Sequence, residues 1–156
     1  MTLRLGAALL LCLLAGAAAA HDMGGMKMGG VAEWSAIGQP GNAGAATRTI
    51  AVTASGMRYS LKTIEIKRGE TIRFVVTNRA PVKHEFVLGT RAFHARHLKE
   101  MAAMPGMDMN EANSIDLKPG ETKILLWQFT RPGEFLFGCD IPGHFQAGMV
   151  GTLRVR

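Results

Sequence analysis

The stretch Phe135–Val155, FLFGCDIPGHFQAGMVGTLRV, places three possible metal ligands on one short loop between two apolar runs. Cys139 precedes His144 by five positions, and Met149 follows His144 by another five. The flanking runs have the aromatic and β-branched content that is typical of strands. The stretch therefore predicts two strands joined by a loop that offers a thiolate, an imidazole and a thioether. Whether this loop is a metal site depends on the rest of the chain.

Short segments of β character fill the chain from Arg48 onwards, separated by turns rich in Gly and Pro. These segments are RTIAVTAS, SLKTIEI, ETIRFVVTN, VKHEFVLG, SIDL, ETKILLWQFT, GEFLFGC and MVGTLRV. About eight such strands predict an all-β fold, a Greek-key β-sandwich or barrel. The segment RAFHARHLKEMAAMPGM differs, because its helix formers and helical spacing predict a short helical insertion around residues 91–105.

The first twenty residues, MTLRLGAALLLCLLAGAAAA, have one basic residue followed by an apolar stretch that ends in alanines. This is the pattern of a secretory signal peptide, and the apolar stretch is shorter than the ~20 residues of a membrane-spanning helix. A lipoprotein signal would use Cys12, but leucines rather than small residues precede it. We therefore expect residues 1–20 to be a signal peptide, and the mature protein to be periplasmic with no membrane span.

Three expectations follow for the mature chain. Residues 21–47 are rich in Gly, Ala and Met and predict a flexible arm, which leaves residues 48–156 as one domain. Cys139 is then the only cysteine, and in an oxidising compartment a single thiol is buried, paired between chains or bound to a metal. The net charge falls from +6 to +5 with the loss of Arg4, and the scattered basic residues predict no nucleic-acid surface.

A second histidine lies in the strand VKHEFVL. Alternation along this strand predicts that Val82, His84 and Phe86 share one face, with Lys83 and Glu85 on the other. A lone histidine among apolar neighbours is most often a buried, hydrogen-bonded side chain. Here, however, adjacent strand ends could bring His84 to the loop that carries Cys139, His144 and Met149.

Two imidazoles, one thiolate and one thioether favour copper. A trigonal His₂Cys set with a weak axial methionine is typical of electron-transfer copper centres. Zinc would accept the same equatorial set, but its structural sites more often add a second cysteine or a carboxylate. An iron–sulfur cluster and a binuclear copper centre would both need more cysteines than this loop has.

These residues carry a family resemblance. The segments TIEIKRGETIRFVVTN and KHEFVLG, followed by LKPGETKILLWQFTRPGEFLFGCDIPGHFQAGMVGTLRV, resemble a cupredoxin of the plastocyanin/azurin family of type 1 copper proteins. The resemblance covers roughly Arg48 to Arg156. Its Cys-x4-His-x4-Met spacing is similar to that of rusticyanin and auracyanin and longer between Cys and His than in plastocyanin.

The resemblance implies a set of roles. His84, Cys139 and His144 would be equatorial copper ligands and Met149 the axial one, with the exposed ring edge of His144 as the electron port. Many cupredoxins have an asparagine after the first histidine, which ties the two ligand loops together. This chain has Glu85 there, so the side-chain tie is in doubt, although a backbone N–H to the cysteine sulfur remains possible.

The methionines raise a second question, since the chain has ten of them. His94, His97, Met101 and Met104 are spaced to lie on one helical face, with Met107 and Met109 beyond Pro105. This set is either a second, thioether-rich copper site or part of the core, because methionine fills gaps well. The possible N-terminal copper site, or merely a linker, consists of His21, Met23, Met26 and Met28.

These extra clusters bear on function. An exported cupredoxin with additional His/Met clusters resembles the periplasmic copper-tolerance cupredoxins of the CopI type, which implies copper handling with a redox-active copper. The alternative is a soluble periplasmic electron carrier with a protein redox partner. A small copper oxidase or reductase would need an open coordination position, which Met149 would close. We therefore expect a copper-binding protein and not an enzyme.

Overall fold

The computed structural model describes residues 34–104 and 111–156. Its strands are β1 (Gln39–Pro40), β2 (Arg48–Ser55), β3 (Arg58–Tyr59), β4 (Thr63–Ile66), β5 (Thr71–Asn78), β6 (His84–Gly89), β7 (Ser114–Leu117), β8 (Thr122–Gln128), β9 (Gly133–Gly138) and β10 (Val150–Val155). Helix α1 spans Arg91–Ala103, and a short 3-10 helix spans Ala43–Ala45. The prediction of an all-β fold with one helical insertion is confirmed.

The strands form two five-stranded sheets. One sheet has the order β1-β8-β5-β2-β3, and the other has the order β4-β10-β9-β6-β7. The pairs β2–β5 and β4–β10 are parallel, whereas the remaining pairs are antiparallel. Strands that follow one another in the chain are thus often separated in space, as expected for a Greek-key sandwich.

The core lies between the two sheets. Along β5, Ile72, Phe74 and Val76 are fully buried and alternate with partly exposed residues, because successive side chains point to opposite faces. The ring of Phe86 on β6 lies 5.4 Å from that of Phe74 and 5.5 Å from that of Phe137 on β9. Truncating one such ring to alanine costs about 3–5 kcal/mol. This aromatic cluster therefore makes the sandwich a stable frame for the strand ends.

The folded part of the chain begins earlier than the predicted boundary at residue 48. Ile37 is fully buried, and β1 pairs with β8 through Gln39 and Gln128. The ring of Trp34 packs edge-on against Trp127 with 5.6 Å between centroids. The prediction of a flexible arm up to residue 47 is therefore wrong for residues 34–47. The prediction rested on the Gly-rich composition of the segment and overlooked Trp34 and Ile37, whose apolar side chains pack against the sheet.

The surroundings of strand β6 differ in part from the sequence prediction. All six of its residues are buried, including Glu85, whereas Val82 precedes the strand and is 41% exposed. The prediction that Val82 shares the inner face with His84 and Phe86 is therefore wrong. Both faces of β6 are covered, because one faces the core between the two sheets and α1 packs against β6 and β9 outside it.

Helix α1 begins directly after β6. The Thr90 hydroxyl accepts a hydrogen bond from the backbone N–H of Phe93 at 3.0 Å, which caps the first turn. The helix ends at Ala103, two residues before the predicted end, and Met104 has φ −129° and ψ 65°, outside the helical region. The residue before a proline disfavours the helical conformation, and Pro105 follows Met104. Within residues 34–104 and 111–156, no helix is long and apolar enough to cross a bilayer.

Candidate metal centre

Three side chains from two separate parts of the chain converge at one end of the sandwich. The Nδ1 atoms of His84 and His144 lie 3.2 Å apart. The Sγ atom of Cys139 lies 3.3 Å from Nδ1 of His144 and 3.9 Å from Nδ1 of His84. Among the described residues, this is the group of His, Cys and carboxylate side chains whose ligand atoms lie close enough to hold one ion.

His84 is positioned by the turn that precedes β6. The Asn78 side chain donates Nδ2–H bonds to the carbonyls of Val82 at 2.8 Å and Leu117 at 3.0 Å. Its Oδ1 accepts a hydrogen bond from the backbone N–H of Ala80 at 2.9 Å. Asn78 therefore fixes the turn that leads into His84 and ties it to β7. The sequence analysis did not identify this residue. The available signal was an asparagine that ends a strand just before a proline-containing turn.

The ligand loop, residues 139–149, closes on itself through backbone hydrogen bonds. The N–H of Cys139 donates to the carbonyl of Met149 at 3.1 Å, and the N–H of Met149 donates to that of His144 at 3.1 Å. Gly143 and Gly148 have φ values of +89° and +91°, which residues with a side chain rarely adopt. These bonds and the two left-handed glycines bring Cys139, His144 and Met149 to the same end of β9 and β10.

Burial controls the protonation of the cysteine. The Sγ atom of Cys139 accepts a hydrogen bond from the backbone N–H of Glu85 at 3.3 Å. Cys139 is fully buried, and burial raises the pKa of its thiol to about 12 despite that bond and a second one from the N–H of Ile141. Without a metal the sulfur is therefore a neutral thiol, and a bound cation must displace its proton.

The two histidines are prepared for ligation in a different way. Burial lowers the pKa of His84, and the neighbouring His144 lowers it further. Burial also lowers the pKa of His144. Both imidazoles are consequently neutral at pH 7 and can offer a lone pair from Nδ1.

The donor spacing fits a single ion. Nitrogen and sulfur ligands about 2.0–2.3 Å from a common metal, at trigonal angles, lie roughly 3.5–3.8 Å from one another. The three observed separations of 3.2, 3.3 and 3.9 Å bracket that range. Met149 is fully buried and lies beside Cys139, to which its carbonyl is hydrogen-bonded. His84, Cys139 and His144 could thus hold a metal, with Met149 next to them.

Glu85, the residue after His84, interacts through both its backbone and its side chain. The backbone N–H of Glu85 does reach the cysteine sulfur, as the sequence allowed. The Glu85 carboxyl instead pairs across the sheet with that of Asp116, which forms an ion pair with Lys83 at 3.2 Å. Burial first, and then the charge of Asp116, raise the pKa of Glu85 to about 8. The side-chain tie between ligand loops is thus replaced by a buried carboxyl pair.

The helical His/Met set has a different environment. His94, His97 and Met101 are buried on the face of α1 that packs against the sandwich, whereas Met104 is 37% exposed. Nδ1 of His94 lies 2.9 Å from the Asp140 carboxylate, and the ring of His97 stacks on Phe93 with 5.5 Å between centroids. This placement favours the packing alternative for the three buried side chains.

The remaining sequence-predicted ligands belong to two other segments of the chain. Met107 and Met109 lie outside the described residues. So do the possible ligands of the N-terminal arm, which are His21, Met23, Met26 and Met28. A copper site on these residues stays a prediction.

Comparisons with known proteins agree with this geometry. The sequence profile of the copper binding proteins of the plastocyanin/azurin family matches residues 46–156. The chain belongs to this family. As a cupredoxin it has copper as its cofactor, in agreement with the soft donor set of the site.

Relatives extend the similarity over nearly the whole chain. The protein is 44% identical to the copper-resistant cuproprotein CopI of Rubrivivax gelatinosus, over 96% of this chain and 92% of the relative. It is 37% identical to the copper-resistant cuproprotein CopI of Pseudomonas aeruginosa, over 78% of this chain and 83% of the relative. The resemblance to cupredoxins of the CopI type is therefore confirmed.

Solved structures show the same fold. Reduced auracyanin from Roseiflexus castenholzii superposes with a TM-score of 0.61 at 24% identity, over 71% of this chain and 98% of that one. Auracyanin B superposes with a TM-score of 0.62 at 23% identity, over 76% of this chain and 96% of that one. At this level of identity the likeness establishes the cupredoxin fold alone.

Proposed function

We propose that this protein is an exported copper-binding protein that serves copper handling and tolerance in the periplasm, with a redox-active type 1 copper. The observation that carries the proposal is the convergence of Nδ1 of His84, Sγ of Cys139 and Nδ1 of His144 within 3.9 Å of one another. The two CopI relatives named as copper-resistant cuproproteins support the physiological part. The predicted signal peptide, residues 1–20, supports export.

The surrounding residues suit a centre that changes oxidation state. Copper would supply a one-electron change between Cu(II) and Cu(I). The ligand set is held by backbone bonds of the ligand loop and by Asn78, so the donor atoms are fixed before a metal arrives. A soft thiolate and two neutral imidazoles are acceptable to both oxidation states. Little would therefore need to rearrange when an electron is gained or lost.

His144 is the proposed electron port. Its Nδ1 faces the site, and its side chain is partly exposed beside the exposed Pro142 and Gly143. His84 and Cys139 are fully buried, so His144 is the partly exposed member of the three. A protein redox partner would approach at this residue.

The alternative function is a soluble electron carrier, since the same site serves both roles. The two differ in how much copper the chain binds. A carrier needs one copper, whereas a copper-handling protein gains from extra sites on Met107, Met109 and the N-terminal arm. We do not propose an enzyme, because catalysis at the copper would require an open coordination position, and the cupredoxin resemblance implies that the buried Met149 would close it.

A copper titration of the mature protein tests the proposal. The visible spectrum and the copper-to-protein ratio are followed for the wild type, for Cys139→Ala and for an arm variant in which Met23, Met26, Met28, Met107 and Met109 are replaced by leucine. We expect one copper with an intense thiolate charge-transfer band, which Cys139→Ala abolishes. Surplus copper that survives Cys139→Ala and disappears in the arm variant would support copper handling.

The physiological part needs a second measurement. A copper-sensitive strain that lacks its own tolerance protein is complemented with the wild type, with Cys139→Ala or with the arm variant. The proposal is supported if the wild type restores growth in copper and neither Cys139→Ala nor the arm variant does. If the wild type shows no thiolate band, the proposed type 1 site is wrong. A single copper together with no gain in tolerance would favour the electron carrier.

A further inference from the structure

A buried histidine–carboxylate pair lies beside the proposed ligands. The side chains of His94 on α1 and Asp140 in the ligand loop are 1% and 0% exposed. Nδ1 of His94 lies 2.9 Å from both carboxylate oxygens of Asp140. The geometry makes the His94 Nδ1–H a donor to the carboxylate. Asp140 directly follows Cys139, so this bond joins the helical insertion to the residue next to the sulfur ligand.

His94 also contacts the region around the second loop ligand. Its ring packs against Phe145, which follows His144, with 5.4 Å between centroids. Both rings lie over Gly138, where an added Cβ atom would meet Phe145 at 2.8 Å and Cε1 of His94 at 3.2 Å. The absence of a side chain at position 138 is what allows this close approach. His94 therefore touches residues on both sides of Cys139 and the residue after His144.

The third ligand is connected to the same helix. His84 is the first residue of β6, and Thr90, which follows that strand, caps α1. Phe93, in the first turn of α1, is fully buried. The strand that carries His84 and the loop that carries Cys139 and His144 are thus bridged by one turn of helix, through His94.

We infer that His94 is a positioning residue for the copper centre. By donating to Asp140 and packing on Phe145, it holds the ligand loop so that the sulfur and the His144 nitrogen keep their spacing relative to His84. A buried carboxylate without a partner is strongly unfavourable, so loss of the donor would force the loop to rearrange. This inference rests on the proposed type 1 site, because it assigns His94 a role at that site.

The test compares His94→Phe with His97→Phe. Both histidines lie on α1 and are 1% exposed, and both contact aromatic rings, but the hydrogen bond to the ligand loop belongs to His94. Phenylalanine keeps a ring at either position and removes the donor. We expect His94→Phe to bind one copper with about 10–100-fold lower affinity, a range found when residues that support metal ligands are lost. Its charge-transfer spectrum and reduction potential should also shift, whereas His97→Phe should match the wild type.

A copper-independent measurement separates this inference from the proposed function. Amide hydrogen exchange of the metal-free protein reports the backbone bonds of Cys139, His144 and Met149 directly. His94→Phe should speed exchange at these amides, and His97→Phe should leave them unchanged. Absence of a thiolate band in the wild type would contradict the copper site, while faster exchange in His94→Phe would still show that His94 holds the loop of residues 139–149 in place.

Two results would overturn the inference. One is a His94→Phe protein with wild-type spectrum, potential, affinity and amide exchange. The other is a His94→Phe protein that loses a second copper and keeps the first centre unchanged, which would make His94 a ligand instead. If His94→Phe does not fold, Asp140→Asn removes the charge from the same bond with little change in volume and is held to the same expectations.

Discussion

Two clusters of histidine and sulfur-containing side chains in this protein share their residue types but differ in structure. The ligand cluster, His84, Cys139 and His144, comes from a strand and a loop that lie 50 or more residues apart in the chain, and its donor atoms converge on one point. The helical cluster, His94, His97 and Met101, comes from one helix with regular spacing, and its side chains pack inwards. Convergence from separate elements, rather than periodic spacing of suitable residues, therefore distinguishes the candidate metal centre here.

The pH dependence of copper affinity should separate the two clusters most strongly. Burial raises the pKa of Cys139 to about 12, so copper must displace one proton at any pH below that value. The histidines have a lowered pKa and are already neutral at pH 7. We therefore expect affinity at the ligand cluster to rise about tenfold per pH unit from pH 7 to 9. Competition with a chelator of known affinity measures this slope.

The control for this prediction is Cys139→Ala. Copper bound through histidine and methionine alone has no thiol proton to lose, so any copper that this variant binds should show a flat profile above pH 7. A flat profile in the wild type would contradict the buried-thiol description of the ligand cluster.

The buried carboxyl group of Glu85, beside the ligand cluster, should make the stability of the metal-free protein depend on pH. This effect is smaller than the pH dependence of copper affinity. The pKa of Glu85 is raised to about 8, mainly by burial, from an ordinary value near 4.5. The folded protein therefore holds this proton more tightly than the unfolded chain. The resulting stability is fully present below pH 4.5 and is lost as pH rises towards about 8. Glu85→Gln, which is neutral throughout, should make the metal-free protein more stable at pH 8.5 by about 2–4 kcal/mol.

Urea denaturation of the metal-free protein at pH 5 and pH 8.5 measures this difference. The buried histidines contribute equally to both chains, so the comparison isolates Glu85. Glu134→Gln, at an exposed site, is the matched control and should follow the wild type. If the free energy of unfolding changes by the same amount between pH 5 and pH 8.5 in Glu85→Gln and in the wild type, Glu85 does not cause the pH dependence of stability.

The smallest expected effect comes from Met101→Leu in the helical cluster. Met101 is 5% exposed, and leucine keeps its volume while removing the thioether. If Met101 only fills the core, stability should change by less than about 1.5 kcal/mol and the copper-to-protein ratio should stay the same. Thermal unfolding and copper analysis check both. Loss of one bound copper without loss of stability would instead make the helical cluster a metal site.

Much of the fold was predictable because it depends on local patterns. Runs of β-branched and aromatic residues between Gly and Pro turns identified the strands from β2 onwards, apart from the two-residue β3. The short β1 was missed because two residues leave no period to detect. The predicted place of Val82 on the inner face was wrong, because β6 begins only at His84. The burial of Glu85 had no signal in the sequence, since coverage of the outer face of β6 by α1 depends on a contact between separate elements.

The sequence alone determined the chemistry of the protein. The Cys-x4-His-x4-Met loop between two strands identifies a soft-metal ligand set, because ligand type and close spacing are properties of the chain itself. Only the tertiary structure decided which histidines share a point in space. His84 joins the ligand loop because Asn78 and the sheet bring it there, and His94 faces Asp140 because Gly138 leaves room for its ring. Such long-range packing has no local pattern in the sequence.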